Sequence, residues 1–71
     1  MSKNIVANMA GTVIEVLVKP GDAISEGMDV VCMESMKMQM FIPSDFDGTV
    51  KDVKVNAGDF VNEGDTLIIL E

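Results

Sequence analysis

The chain has 71 residues, 48% of them apolar, and its five lysines against twelve acidic residues give a net charge of −7. A chain of this length can bury one small core, so we predict a single domain over residues 1–71. The acidic balance argues against nucleic acid and anionic membrane surfaces as partners, because both carry negative charge.

The residue types that are missing argue against several further classes of protein. The sequence has no histidine and no arginine, so no side chain titrates near neutral pH unaided and none can clamp a phosphate with two hydrogen bonds. We therefore expect a non-catalytic protein. A single cysteine, Cys32, excludes an internal disulfide and is typical of a reducing compartment. Apolar runs are too short for a membrane span or a signal peptide, so we expect a soluble protein that is not exported. Together with the lone cysteine this favours the cytoplasm, and we expect the chain to be monomeric by itself.

In chain order, the first half of the sequence predicts four short strands. Its apolar segments are rich in β-branched residues and end in turn-forming pairs such as Gly21-Asp22. The predicted strands are Ile5–Asn8, Thr12–Val18, Ala23–Ile24 and Asp29–Met33.

The second half of the sequence predicts four more strands and no helix. The predicted strands are Met38–Ile42, Thr49–Val55, Phe60–Val61 and Thr66–Leu70. The odd step from Val50 to Val53 breaks strict alternation and predicts a bulge or a barrel corner. No segment sustains an apolar period of 3.6 residues, which would be the signature of a helix.

The two halves are an internal repeat. Residues 10–34 and 47–71 align with a spacing of 37 positions and ten identities, and all six glycines fall into three matched pairs. Matched glycines indicate matched turns, because glycine is used where the backbone demands it. We therefore predict an all-β fold with internal pseudo-twofold symmetry: two four-stranded antiparallel sheets, packed face to face or rolled into a flattened barrel.

The junction of the repeats falls at Met36-Lys37, which we predict to be an exposed hairpin tip. Two-residue hairpins favour Asn-Gly or Asp-Gly, because both central residues of a type I′ turn need positive φ. A turn that breaks this rule is a candidate functional site, and here it would hold the amine of Lys37 out in solvent.

The residues around this junction resemble those of a known family. Glu34-Ser35-Met36-Lys37-Met38 is similar to the attachment motif of biotinyl domains, usually Glu-Ala-Met-Lys-Met, whose lysine carries biotin. The Gly-Thr-Val strand starts, the Gly-Asp and Glu-Gly turns and the twofold repeat are typical of biotinyl and lipoyl attachment domains. The resemblance covers essentially the whole chain and implies the flattened barrel with the modified lysine at a hairpin tip.

The resemblance also implies a carrier function. Lys37 would be biotinylated by a biotin protein ligase, which would recognise the side chains around it: Glu34, Ser35, Met36 and Met38. The arm would then carry a carboxyl group from a biotin carboxylase to a carboxyltransferase. The acceptor stays open, since acetyl-CoA, propionyl-CoA, pyruvate and urea carboxylases use similar carriers. The start at Met1, without a Pro/Ala-rich linker, favours a free-standing protein.

Three alternatives stand beside this hypothesis. The first is lipoylation, although lipoyl domains typically flank the lysine with Asp and Ala. The second is a soft-metal binder that would use the sulfur atoms of Cys32, Met33, Met36, Met38 and Met40. The third is a purely structural adaptor. In addition, Glu34 could merely complete a strand end, because the repeat places Glu71 at the equivalent position, and Met33 and Met40 fit a core or strand face.

Equal Gly11–Gly21 and Gly48–Gly58 spacings indicate that the first half lacks the thumb insertion of some acetyl-CoA carboxylase carriers.

Overall fold

The computed structural model of the protein describes residues 3–71, and every regular element within this range is a β-strand. The eight strands are β1 (Lys3–Val6), β2 (Gly11–Val16), β3 (Ala23–Ile24), β4 (Asp29–Ser35), β5 (Met38–Pro43), β6 (Gly48–Val53), β7 (Phe60–Val61) and β8 (Thr66–Leu70). The predicted all-β architecture with four strands in each half is confirmed. Residues 3–71 include no helix long and apolar enough to cross a bilayer.

The strand ends differ from the predicted ones by up to two residues at each end. β1 is Lys3–Val6 instead of Ile5–Asn8, and β2 and β6 end before Leu17 and Lys54. The chain leaves the sheet there, yet Val18 and Val55 remain buried as loop residues of the core. Their β-branched side chains therefore suggested longer strands than the backbone forms.

The strands form two four-stranded antiparallel sheets. We call the sheet of order β5-β4-β2-β7 the lysine-bearing sheet, because Lys37 lies between β4 and β5, and the sheet of order β1-β8-β6-β3 the opposite sheet. A shift of 37 positions converts one strand order into the other, strand for strand. The predicted pseudo-twofold relation between the halves is therefore present in the sheet topology.

The bulges obey the same symmetry. In the lysine-bearing sheet the register between β2 and β4 shifts around Ile14, and in the opposite sheet the register between β6 and β8 shifts around Lys51. These two residues are 37 positions apart. The predicted irregularity between Val50 and Val53 is thus a bulge. Each sheet has one further register shift, between Asp29 and Val31 in the lysine-bearing sheet and between Ile5 and Val6 in the opposite sheet.

Turns at matched glycines carry the chain from one sheet to the other. Gly21 and Gly58 both have φ of +97°, a conformation that side chains with a Cβ rarely adopt. The amide of Gly21 donates a 2.9 Å hydrogen bond to the Val50 carbonyl, and that of Gly58 donates a 2.7 Å bond to the Val13 carbonyl. Each turn is thereby fastened to the strand of the other half of the chain.

The core lies between the two sheets and draws equally on both halves. Its largest fully buried apolar side chains are aliphatic residues and one methionine, and β4 and β8 each contribute consecutive buried positions. These side chains are Ile5, Val13, Val30, Val31, Met33, Val50, Leu67, Ile68 and Leu70.

Candidate functional site

The turn between β4 and β5 has two residues, Met36 and Lys37. The strands pair up to Ser35 and Met38, and the turn residues have φ of 54° and 64°. Positive φ at both central positions is the type I′ geometry that closes a two-residue hairpin. The predicted hairpin tip is confirmed.

The side chains of this turn do not suit its backbone. Within residues 3–71, Met36 and Lys37 are the only residues other than glycine with positive φ. A residue with a Cβ pays about 1–2 kcal/mol for this conformation. The turn therefore has a local conformational cost that an Asn-Gly sequence would largely avoid.

The turn is also apolar and exposed. Met36 is 91% exposed and Met38 65%, and Lys37 between them is exposed as well. Met33 is fully buried and Met40 is partly buried against the core, as the sequence predicted. Met36 and Met38 thus make no contribution to the core, and neither the stability nor the solubility of the fold explains them.

A close approach of β2 supports the turn from below. A Cβ added to Gly11 would lie 2.7 Å from the carbonyl oxygen of Glu34 and 3.3 Å from Cβ of Ser35. At the equivalent Gly48 no such contact is shorter than 3.6 Å. Sequence reasoning identified Gly11 as one of the repeated glycines but missed this role, because the pairing of the two glycines hides their different surroundings.

Solvent exposure does not single out Lys37, since the other four lysines are exposed too. Lys54 Nζ lies 3.0 Å from Asp52 Oδ2, and its hydrogen bond and charge lower the pKa of that carboxyl. Lys3 Nζ lies 5.3 Å from the ring centroid of Phe46, a cation–π distance. What distinguishes Lys37 is its place in a two-residue turn with positive φ.

The remaining predicted recognition residues flank the turn on β4. Glu34 is exposed and stands opposite Thr12 on β2 and Gln39 on β5, while Ser35 is partly buried. Glu34, Ser35, Met36 and Met38 are therefore brought together around Lys37 on one short hairpin.

The sulfur atoms required by the soft-metal alternative are not brought together. Met33 belongs to the core, whereas its neighbour Cys32 is buried outside the core cluster, on the other face of β4. Met36 lies beyond both at the turn. In the part of the chain that the structure describes, no group of three His, Cys, Asp or Glu residues could hold a metal ion.

Comparison with the sequence profiles of known families identifies the family of this chain. A profile described as "Biotin-requiring enzyme", that of the biotin/lipoyl attachment domain, matches residues 3–70. The chain belongs to the biotin/lipoyl attachment family. The match covers both repeats and the turn between them.

Relatives of known function in this family include carboxylases. The propionyl-CoA carboxylase alpha chain of Caenorhabditis elegans is 49% identical over 39 residues, which is 55% of this chain and 5% of that protein. The human propionyl-CoA carboxylase alpha chain is 55% identical over 31 residues, which is 44% of this chain and 4% of that protein. The chain thus spans about one twentieth of the length of these relatives.

Solved structures of this fold include carboxylases and a lipoyl domain. A single-chain, multi-domain long-chain acyl-CoA carboxylase matches 96% of this chain with 7% of its own length, at 32% identity and a TM-score of 0.88. The lipoyl domain of the 2-oxoglutarate dehydrogenase complex from Azotobacter vinelandii matches 87% of this chain with 78% of its own, at 32% identity and a TM-score of 0.71. The fold is therefore shared by part of a carboxylase and by a lipoyl domain.

Proposed function

We propose that this protein is a biotin carboxyl carrier domain and that Lys37 is its attachment residue. The observation that carries the proposal is the two-residue turn, which presents Lys37 between two exposed methionines at positive φ. Strained backbone conformations of this kind cluster at sites whose side chains have a function.

The attachment reaction needs only the amine from this chain. The ammonium of Lys37 first gives up one proton, and the free Nζ atom attacks the acyl carbon of biotinyl-adenylate. The amide bond forms as the bond from that carbon to the phosphate oxygen breaks, so AMP leaves and Nζ releases a second proton. The lysine loses its positive charge, so the net charge of −7 becomes more negative by one. Recognition by the ligase falls to the groups next to the amine, namely Met36, Met38, Ser35 and Glu34.

After attachment, the domain is a rigid support for the flexible, biotinylated side chain of Lys37. The turn projects from a paired hairpin whose strands form the middle and edge of a four-stranded sheet. Tethering converts transfer between two active sites into an effectively intramolecular event. The carboxylation and the carboxyl transfer are performed by the partner enzymes, a biotin carboxylase and a carboxyltransferase.

Two observations favour biotin over lipoate. Methionine flanks Lys37 on both sides, whereas lipoyl domains typically have Asp and Ala there. The relatives named above include propionyl-CoA and long-chain acyl-CoA carboxylases, which supports a carboxylase context. The likeness to a lipoyl domain keeps lipoate as the second candidate.

The test is co-expression with a biotin protein ligase, followed by intact mass and peptide mapping. We expect one biotinyl group per chain, on Lys37. Lys37→Arg keeps the charge and removes the acceptor, so this variant should fold with an unchanged unfolding midpoint and carry no biotin. Lys19→Arg, at an exposed loop lysine, is the matched control and should be labelled normally. Labelling of Lys37→Arg at the wild-type level would refute the assignment.

The choice between biotin and lipoate is tested at the flanking residues. Met36→Asp combined with Met38→Ala should lower biotinylation and raise modification by a lipoyl ligase. Both side chains are exposed. The substitution at Met38, which lies in a strand, should therefore change the free energy of unfolding by less than about 0.5 kcal/mol. If the double variant kept its biotinylation rate, the methionines would not specify the cofactor.

A further inference from the structure

The pseudo-twofold symmetry lets the outward faces of the two sheets be compared position by position. On the outward face of the lysine-bearing sheet, four positions carry exposed large apolar residues, three of them in strands and one directly after β2: Ile14, Phe41, Phe60 and Leu17. The equivalent positions of the opposite sheet, 37 residues away, carry Lys51, Asn4, Ala23 and Lys54. The opposite sheet exposes Val6 at 43%, so large apolar side chains are concentrated on the outward face of the lysine-bearing sheet without being confined to it.

The alternation of the strands shows that these side chains point away from the core. Phe41, 53% exposed, lies between Met40 and Ile42, which both pack against the core. Val13 and Val16 also pack there, so the bulge between them turns both Ile14 and Glu15 outward. The apolar character is therefore a property of the outer face and not an edge of the core.

The centre of this face is already shielded from solvent. Glu15, Cys32 and Phe41 stand side by side on β2, β4 and β5. Cys32 is only 6% exposed, although it does not belong to the core cluster. Neighbouring side chains on the outer face must cover it, and those of Glu15 and Phe41 stand directly beside it.

The outward faces of the two sheets also differ in charge. On the opposite sheet, Asp52 is neutralised by Lys54 at 3.0 Å. The equivalent pair on the lysine-bearing sheet is Glu15 and Leu17, and among residues 3–71 no cation pairs with Glu15. The strands of the lysine-bearing sheet contain three carboxylates and no lysine, against two lysines and one carboxylate in the strands of the opposite sheet.

We propose that the outward face of the lysine-bearing sheet is a docking surface for an enzyme component that acts on the Lys37 arm. The matching enzyme surface has an apolar centre and a rim of lysine or arginine, which pairs with Glu15 and Glu34. A second copy of this chain does not fit, because two faces that both carry unpaired carboxylates repel each other, as do two chains of charge −7.

The place and size of the face suit a transient contact. The row of Glu34 and Gln39 separates the Cys32 row from the turn, so Phe41 lies about 13 Å along the strand from Lys37. An area of roughly 15 by 20 Å buries on the order of 300 Å² per partner, or about 600 Å² in total, which is below the roughly 1,000 Å² of a stable specific interface and is the size of a weak, transient contact. A carrier that leaves one enzyme for the next on every cycle requires such weak contacts. This inference rests on the proposed carrier function.

The test uses substitutions that the chain itself carries at the equivalent positions. In the face variant, Leu17→Lys and Phe41→Asn replace two apolar residues with those of the opposite sheet. The control variant, Asn4→Ala with Lys51→Ala, alters the outward face of the opposite sheet. Isotope-labelled full chains are titrated with purified biotin carboxylase and, separately, purified carboxyltransferase from the same organism, and amide signals are followed by NMR. Binding needs no biotin in this assay.

We expect wild-type signals around Cys32 and Phe41 to shift or broaden with at least one of the two enzymes, and more weakly at high salt. The face variant should bind that enzyme about tenfold less tightly, and the control variant within about twofold of wild type. Equal affinity of face variant and wild type, or signal changes confined to the turn or to the opposite sheet, would overturn the docking surface. So would concentration-dependent dimerisation of the wild type through this face.

The ligase reaction separates this inference from the carrier function itself. If the face variant is biotinylated at the wild-type rate but binds the enzymes as well as wild type, the docking surface is wrong and the carrier role stands. If Lys37 is not biotinylated while docking still depends on the face, the carrier role is wrong and the docking surface stands.

Discussion

At the scale of single residues, the turn between β4 and β5 lowers the stability of the fold while it presents the amine of Lys37. Met36 and Lys37 adopt φ of 54° and 64°, where asparagine and glycine are the favoured residues. The lysine cannot be replaced without losing the acceptor amine. Met36 can be replaced, so it is the position at which the cost of the turn and its purpose can be measured separately.

Met36→Asn should make the protein more stable and a poorer ligase substrate. Asparagine tolerates the left-handed region, so the free energy of unfolding in urea should rise by about 0.5–1 kcal/mol. Biotinylation should slow, because one of the two exposed methionines is lost. Met38→Asn is the control, since Met38 lies in β5 outside the turn and should give no such gain in stability. A gain in stability without any loss of labelling would show that Met36 is not a recognition residue.

The ion pair between Lys54 and Asp52 predicts a pH effect of defined sign. The ammonium lowers the pKa of Asp52 below its usual value of 3.8. A carboxyl whose pKa is lower in the folded state stabilises the fold above the unfolded pKa and loses this contribution as the pH falls through the folded one. Lys54→Gln should therefore raise the pKa of Asp52 in an NMR titration. It should slightly lower the free energy of unfolding above about pH 4, and this difference from the wild type should vanish as the pH falls further. An unchanged pKa would mean that the pair does not persist in solution.

At the scale of strands, the two glycines that begin β2 and β6 are equivalent in sequence but not in surroundings. Gly11→Ala places a Cβ 2.7 Å from the Glu34 carbonyl oxygen, a backbone atom that cannot move without shifting β4. Gly48→Ala meets nothing closer than 3.6 Å and serves as the matched control. We expect Gly11→Ala to cost about 1–3 kcal/mol of unfolding free energy and to slow biotinylation. Gly48→Ala should leave both unchanged; similar effects of the two changes would disprove special support of the turn by β2.

This contrast shows how far the sequence could predict the strands. The repeat and its glycines located all eight strands and the tip, and the odd step from Val50 to Val53 located the bulge of the second half, because each leaves a pattern in spacing or residue type. Strand ends such as Val16 and Ser35 are set by where the backbone stops pairing with the neighbouring strand. Neither the spacing nor the type of the residues marks that point in the sequence. The close approach of Gly11 to β4 and the shielding of Cys32 on an outer face are distances between neighbours, so only the folded structure reveals them.

At the scale of the whole molecule, one fold unit is used twice and only one copy of its junction becomes a site. The pairing of Lys3 with Leu70 corresponds to that of Met40 with Met33. The pair Lys3 and Leu70 therefore lies at the end of the opposite sheet that corresponds to the end of the lysine-bearing sheet next to the Met36-Lys37 turn. Symmetry supplies a rigid support, and the departures from symmetry at the turn and on the outward faces supply the chemistry.

The symmetry itself can be tested at the turns that join the sheets. Gly21 and Gly58 share φ of +97°, and a Cβ at either would contact nothing within 4 Å. Replacement by valine therefore acts through backbone strain alone, and a β-branched residue in this region costs upwards of about 1–2 kcal/mol. Each turn also donates a hydrogen bond to the other half, so strain at either one is felt by both sheets.

We expect Gly21→Val and Gly58→Val to lower the free energy of urea unfolding by similar amounts, within about 0.5 kcal/mol of each other. The biotinylation rate should fall with both, because in a domain whose total stability is about 5 kcal/mol the hairpin is then folded for less of the time. Ala57→Val is the control, since Ala57 is exposed in the same kind of turn and its φ is not positive. If Gly21→Val abolished folding and labelling while Gly58→Val changed neither, the two halves would not be energetic equivalents, and the support of the Lys37 turn would have to come from the first half alone.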